Sequence, residues 1–304
     1  MELLKPGTRI DFIGKMRKAV FISIALIIIS IGFLIYHKGP NWGVEFIGGT
    51  EIHIKLAKEV SIEDVKKTLE ATGFPPDVVQ QLGLTSDHEY LIRFSPELVK
   101  FDQIQGFQTE LEKIIATNEL FKGGSIQRVD YIGPSVGKEL IEKAIIAILL
   151  GCVGILIYVM IRFEFGFAMG AVIALLHDTV ITLGAISLMD KEFTLALVAA
   201  LLTVIGYSVN DTIIIFDRIR ENLKKSGKLS VREVVNEGIN QTLSRTILTS
   251  LTVFLVLIPL FLFGGSVIHD FAFTLIVGVI VGTYSSIFIA SAFVIYWRER
   301  KGHS

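Results

Sequence analysis

FTLALVAALLTVIGYSVNDTIIIF, residues Phe193 to Phe216, is apolar for most of its length and then admits Tyr207, Ser208, Asn210, Asp211 and Thr212 close to its end. A helix of about 20 predominantly apolar residues crosses the hydrocarbon core of a bilayer, so this run is long enough to span. A carboxylate inside such a run costs at least about 2.5 kcal/mol to insert, which makes Asp211 a functional candidate. Working outward in both directions, five more runs have the same character: Ala19 to Tyr36, Ala144 to Ile161, Phe165 to Met189, Thr246 to Val267 and Phe271 to Trp297. Among the six, only Phe165 to Met189 and Phe193 to Phe216 contain an Asp. The first run is long for a signal peptide and is followed by Tyr36, His37 and Lys38, not by a small-residue cleavage site, so it reads as an uncleaved anchor.

The composition agrees with a polytopic α-helical membrane protein. Of 304 residues 51% are hydrophobic and 19% charged, and the mean hydropathy of +0.61 comes from apolar residues gathered into runs. A net charge of -1 offers no basic excess for a nucleic-acid partner. The single cysteine, Cys152, falls inside an apolar run and rules out an internal disulfide.

Orientation follows from Lys and Arg, which are retained on the cytoplasmic side. They concentrate in the N-terminal segment 1–18 (Lys5, Arg9, Lys15, Arg17, Lys18), in the loop 217–245 (Arg218, Arg220, Lys224, Lys225, Lys228, Arg232) and in the tail 298–304 (Arg298, Arg300, Lys301). Six spans put all three on one face, so both termini are expected in the cytoplasm. Within the loop, Ser230-Val231-Arg232-Glu233 is a capping-box pattern followed by Val234, Val235 and Ile239 at helical spacing. It predicts an amphipathic helix on the membrane surface, with a plain connector or a partner contact as the other readings.

Between residues 39 and 143 the composition becomes that of a water-exposed domain, which the orientation places in the periplasm. Thr50 to Leu56, Val78 to Leu82, Tyr90 to Phe94 and Ile126 to Ile132 have strand patterns; Ser61 opens a helix to Ala71, and Ser95 with Pro96 looks like the start of another. The order βαββαβ is that of a ferredoxin-like α+β domain, a fold that names no function by itself. Its histidines, His53 and His88, lack ligand spacing, and no HExxH, GxSxG or Gly-rich phosphate loop occurs in the chain, so no enzyme activity, metal or organic cofactor is expected. Gly43, Glu45, Phe46, Gly48 and Gly49, where the first span gives way to the domain, suit either a structural turn or a close backbone approach.

Inside the membrane, Arg245 opens the fifth run on the same side as Asp211. Antiparallel neighbours could bring the two to one depth, giving either a proton-operated switch or a static pair with a snorkelling Arg. His177 and Asp178 sit near the middle of the third run, where a proton path and simple hydrogen bonding are both open. Adjacent residues point about 100° apart on a helix, so they are not expected to form one relay together. Asn210, Ser208 and Thr212 are the polar residues that would support Asp211. Gly166 with Gly170 and Gly278 with Gly282 predict close helix packing, and Pro259 predicts a bend.

Several of these segments together resemble the SecF family, the smaller subunits of bacterial SecD-SecF protein-export complexes of the resistance-nodulation-division (RND) superfamily. Tyr131-Ile132-Gly133-Pro134-Ser135-Val136-Gly137-Lys138-Glu139-Leu140 resembles the segment before that family's second span. Gly206 to Thr212, continuing through Phe216-Asp217-Arg218-Ile219-Arg220-Glu221-Asn222, is similar to its hallmark in the fourth, and Gln241 to Thr246 to its fifth. Near the first span the family has Asp where this chain has Glu45 before Phe-x-Gly-Gly. The resemblance implies translocation of proteins across the cytoplasmic membrane driven by the proton motive force. It implies SecD, the SecY-SecE-SecG translocon with YajC, and the translocating polypeptide as partners. It assigns proton transport to Asp211 and Arg245, with the proton, or sodium in its place, as coupling ion. An RND-type exporter of small molecules or lipids and a non-transporting translocon scaffold are the alternatives, and an intramembrane protease lacks any paired catalytic motif.

Overall fold

The computed structural model describes residues 9–82, 88–99, 103–225 and 229–301. Two compact units emerge, one from Trp42 to Ile145 and one that joins the N-terminal 41 residues to Ile146–Ser304.

The second of these holds the helices that are long and apolar enough to cross a membrane, six in all, with α5 entering it at Ile146. Helix α1 (Phe12–Tyr36) is capped by Asp11, whose side chain accepts from the Gly14 N–H. Past the smaller unit come α5 (Pro134–Arg162), α6 (Phe165–Leu188), α7 (Leu195–Lys225), α8 (Val231–Phe263) and α9 (Gly265–Ser285), the last continued through a π-helical turn (Ser286–Ala290) into α10 (Ser291–Arg300). The runs read from the sequence therefore lie within longer helices, because backbone hydrogen bonding does not stop where hydropathy does. The amphipathic stretch after Ser230 is not a separate surface helix but the first turns of α8. Its capping box is formed in full, with the Ser230 hydroxyl accepting from the Glu233 N–H while the Glu233 carboxylate accepts from the Ser230 N–H. Its apolar residues Val231, Val235, Ile239 and Leu243 are buried in the bundle core with Phe163, Phe216 and Ile219. On another face, Asn236 and Asn240 hold the chain just before α1, each accepting from a backbone N–H, of Phe12 and Ile10, and both donating to the Ile10 carbonyl.

Burial divides the helices. In their apolar windows α6, α7 and the α9–α10 segment are 56% buried, whereas α1 and α8 are 17% and α5 only 6% buried. The inner helices cross closely where glycines allow it: a Cβ on Gly278 would collide with Val204, and one on Gly282 would lie 2.9 Å from the Ser208 Cβ.

The smaller unit starts from the two-residue strand β1 (Asn41–Trp42) and the single-turn helix α2 (Val44–Ile47). It then runs β2 (Gly49–Lys55), α3 (Ile62–Ala71), β3 (Val78–Leu82), β4 (Glu89–Phe94), α4 (Ile104–Thr117) and β5 (Ser125–Ile132); the remaining short strand, β6 (Glu192–Phe193), belongs to the helical unit. The sheet order β3-β4-β2-β5, antiparallel throughout, is the ferredoxin-like βαββαβ arrangement. Alternation sends Ile52 and Ile54 of β2 and Tyr90, Ile92 and Phe94 of β4 to one face. There they meet Val65 and Leu69 of α3 and Phe107, Leu111 and Ile115 of α4, each side chain contributing about 1.5–3 kcal/mol by leaving water. One expectation fails. Ser95 and Pro96 do not open a helix: residues 96–98 form a turn in which the Leu98 N–H reaches the Ser95 carbonyl, and α4 begins only at Ile104. A Ser-Pro pair serves a turn as well as an N-cap, and no apolar periodicity immediately follows it.

Candidate functional site

Helix α7 places Ser208, Asp211 and Thr212 on one buried stripe, as their three- and four-residue spacing requires. Asp211 is 0% exposed. Its Oδ2 accepts a long bond from the Thr283 hydroxyl of α9 (3.5 Å), and its Oδ1 has no hydrogen-bond partner among the described residues. Behind Thr283 stands Ser250 of α8 at 2.9 Å, and behind Ser250 the Tyr207 hydroxyl, donating across 3.2 Å. Since a carboxylate only accepts, the protons order themselves Tyr207 to Ser250 to Thr283 to Asp211.

Arg245 does not close on this carboxylate. It lies exposed on α8, and among the described residues no ion pair within 4.0 Å joins it to Asp211. The adjacent Thr246 is 1% exposed, so one residue's rotation about the helix carries Arg245 from the interior to the surface. Asn210 is likewise exposed and does not join the site. Ser208 and Thr212 are buried beside Asp211, but their bonds go elsewhere: Thr212 Oγ1 bonds Ser286 of the π-helical turn (2.7 Å) and the Ser208 carbonyl, and the Ser208 hydroxyl donates to Asp178.

A second buried carboxylate lies across Ser208. Asp178 is 1% exposed; its Oδ2 accepts from the Ser208 hydroxyl (2.5 Å) and the Ser285 hydroxyl (2.7 Å). Its Oδ1 meets His177 Nδ1 at 2.8 Å. These neighbours therefore do act as one network, contrary to the expectation from helix geometry. An imidazole and a carboxylate are long enough to bridge the arc between adjacent positions, and burial leaves each the other's best partner. The network continues from His177 Nε2 to Ser23 of α1 (3.0 Å), and from Ser23 to the Tyr284 hydroxyl of α9. The π-helical turn fits this crowding. At that turn the Ser286 carbonyl accepts from the Ser291 hydroxyl, while the Ser286 hydroxyl reaches the Ser208 carbonyl on α7. Sequence reading missed Ser23, Ser250, Thr283, Tyr284, Ser285 and Ser286. The four consecutive hydroxyls of Thr283 to Ser286 in an apolar span were the available signal; Ser23 and Ser250 stand alone and gave none.

In the smaller unit, Gly43 precedes α2, and Gly48 and Gly49 follow it with φ of +81° and +122°. Both need the absence of a Cβ, and at Gly49 one would also lie 2.6 Å from the Phe94 carbonyl oxygen. Phe46 is buried against Trp42 in an edge-on contact. Gly137, near the start of α5, packs directly on the Phe46 carbonyl, so the motif near the first span and the segment before the second meet. Glu45 is half-buried in the same turn.

Comparison with known proteins places these features. Residues 113–300 match the protein-family description "Protein export membrane protein SecD/SecF, C-terminal", and residues 33–60 match the "SecD/SecF GG Motif". Protein translocase subunit SecF of Calditerrivibrio nitroreducens is 44% identical over 97% of this chain and 96% of its own length. That of Escherichia coli O157:H7 is 39% identical over 100% and 93%. Among solved structures, SecDF of Thermus thermophilus, described as a translocon-associated membrane protein, superposes with a TM-score of 0.87 at 37% identity; the match covers 99% of this chain, which spans 40% of that longer one. SecDF in its super-membrane-facing form gives 0.72 over 100% of the chain. With its six apolar helices, its glycine motif and relatives matched from end to end, the chain belongs to the SecD/SecF family of protein export membrane proteins, as a SecF-type translocase subunit of the bacterial inner membrane.

Proposed function

We propose that this subunit, paired with a SecD-type partner, uses the proton motive force to promote movement of polypeptides through the SecY-SecE-SecG translocon, with YajC beside it, and that Asp211 is the group that takes up and releases the proton. The observation that carries the reading is Asp211 itself, fully buried in a membrane helix with one oxygen unbonded and the other served by a single long hydroxyl contact. A carboxylate so sparsely solvated gains more from binding a proton than one with its lone pairs filled. Arg245, at the surface of α8, is the cation whose movement toward or away from Asp211 would couple protonation to conformation. One proton crossing 100 mV supplies about 2.3 kcal/mol, enough to bias such a movement about fifty-fold.

Both termini and the loop between α7 and α8 lie on the cytoplasmic side in this reading, because Lys and Arg concentrate in them, and the ferredoxin-like unit lies on the periplasmic side, where polypeptide emerges. Nothing in the arrangement calls for bond-making chemistry. The test is secretion and proton flux in membranes carrying the intact complex with Asp211→Asn. Loss of both is expected, and wild-type values for both in an assembled complex would overturn the proposal.

A further inference from the structure

The protons of the second network can be placed by counting donors. The Tyr284 hydroxyl has one proton, and it goes to the Ala19 carbonyl at 2.6 Å. In its contact with Ser23 Tyr284 can therefore only accept, so the Ser23 hydroxyl proton points to Tyr284 across 3.3 Å. Ser23 Oγ is then left to accept from His177 Nε2 at 3.0 Å, and Nε2 must carry a hydrogen. At the other end, Asp178 Oδ2 is taken by the hydroxyls of Ser208 and Ser285. A further proton must lie between Asp178 Oδ1 and His177 Nδ1, 2.8 Å apart, since two bare acceptors would repel at that distance. Imidazole and carboxylate thus share two protons, one more than a neutral histidine beside an ionised aspartate would hold.

We infer that His177 and Asp178 together form a proton-binding site, separate from Asp211, that is filled in this conformation as an imidazolium beside a carboxylate and that governs whether Ser23 ties α1 to α9. Release passes the Nε2 proton to water and leaves a bare ring nitrogen. The Ser23 hydroxyl then turns to donate to Nε2, and its bond to Tyr284 is lost while α1 and α6 stay joined. Binding reverses the change. The other elements packed on α6 bring few titratable groups: α7 presents Ser208 with Asp211 one turn beyond, α9 presents Tyr284 and Ser285, and α1 presents Ser23 and the Ala19 carbonyl. On α10, Arg298 and Glu299 are engaged elsewhere, with Glu164 and Arg232. Among the described residues the ion pair of His177 and Asp178 is the only one either makes.

This is a statement about proton binding, and its test does not depend on transport by Asp211. Solid-state nitrogen and carbon NMR of the full chain with its SecD-type partner in lipid bilayers, labelled with nitrogen-15 in histidine rings and carbon-13 in aspartate carboxyls, reads the state directly. At pH 7 one ring is expected with both nitrogens protonated, its signal absent in His177→Gln, converted to a neutral ring in Asp178→Asn and unchanged in Asp211→Asn. A neutral His177 beside an ionised Asp178 overturns the site, and disappearance of the signal in Asp211→Asn overturns its separateness. Should His177→Gln fail to assemble, Ser23→Ala retains both titratable groups. Its Nε2 signal is expected to move while the Nδ1 signal stays in place, and an unmoved Nε2 signal overturns the link to Ser23.

Discussion

Asp178 and Asp211 are both buried carboxylates in the middle helices of one bundle, both reached by hydroxyls from α9, yet they are built to opposite ends. Asp178 has both oxygens filled, by Ser208, Ser285 and His177. Among the described residues Asp211 has one oxygen without a hydrogen-bond partner and one long contact. A carboxylate bonded on both oxygens holds its helices together while the exchangeable proton sits on the neighbouring imidazole, whereas a half-satisfied carboxylate can take the proton on its own oxygen. The largest effect should therefore come from the first. Asp178→Ala strands two hydroxyls and an imidazole in a buried site and is expected to destabilise the bundle by about 3–5 kcal/mol, measured as detergent-resistant unfolding of the purified chain. Asp211→Asn is expected to cost under about 1 kcal/mol in the same assay, since its amide oxygen can still accept the one long contact from Thr283. Equal losses would erase the distinction.

The crossing of α7 and α9 holds the two sites one turn apart. Gly282→Val would drive a side chain into Ser208, the residue whose hydroxyl serves Asp178 and whose carbonyl serves Thr212 and Ser286. Overpacking of this kind costs about 1–3 kcal/mol. Because α7 would shift as a whole, stability and secretion should fall together, whereas Gly206→Ala, on the same helix with open space around it, should leave both near wild type. A Gly282→Val chain that keeps full stability would show that the crossing is looser than the geometry implies.

The difference in how legible the two sites were has the same physical root. The spans, the βαββαβ order and the exposed domain follow from hydropathy and period, which act locally along the chain. Asp211 stood out because a charge in an apolar run is rare. Its partner on α9 did not, because threonine satisfies its own helix by bonding the carbonyl one turn back, as Thr203 and Thr274 do here, and sequence cannot say which threonine turns inward. The separation of His177 from Asp178 failed for a related reason: helix geometry fixes where Cβ atoms point, not where long polar side chains meet once water is excluded. The joining of the capped surface stretch to α8 was hidden because charge and polarity mark the membrane boundary and not the end of a helix.

The smallest effects should fall on the outer side of the Asp211 site, and they sharpen the comparison most. Arg245 and Asn210 are exposed in the isolated chain, and surface substitutions away from caps and strained turns change stability within about 0.5 kcal/mol. Arg245→Met and Asn210→Ala should therefore leave the unfolding of the single subunit near wild type. If Arg245 acts on Asp211 only when a SecD-type partner covers that face, Arg245→Met should abolish proton-dependent secretion in the assembled complex while Asn210→Ala reduces it little. An arginine whose loss unfolded the lone subunit would instead be a structural member of the bundle, and Asp211 would no longer be the open half of the pair of sites.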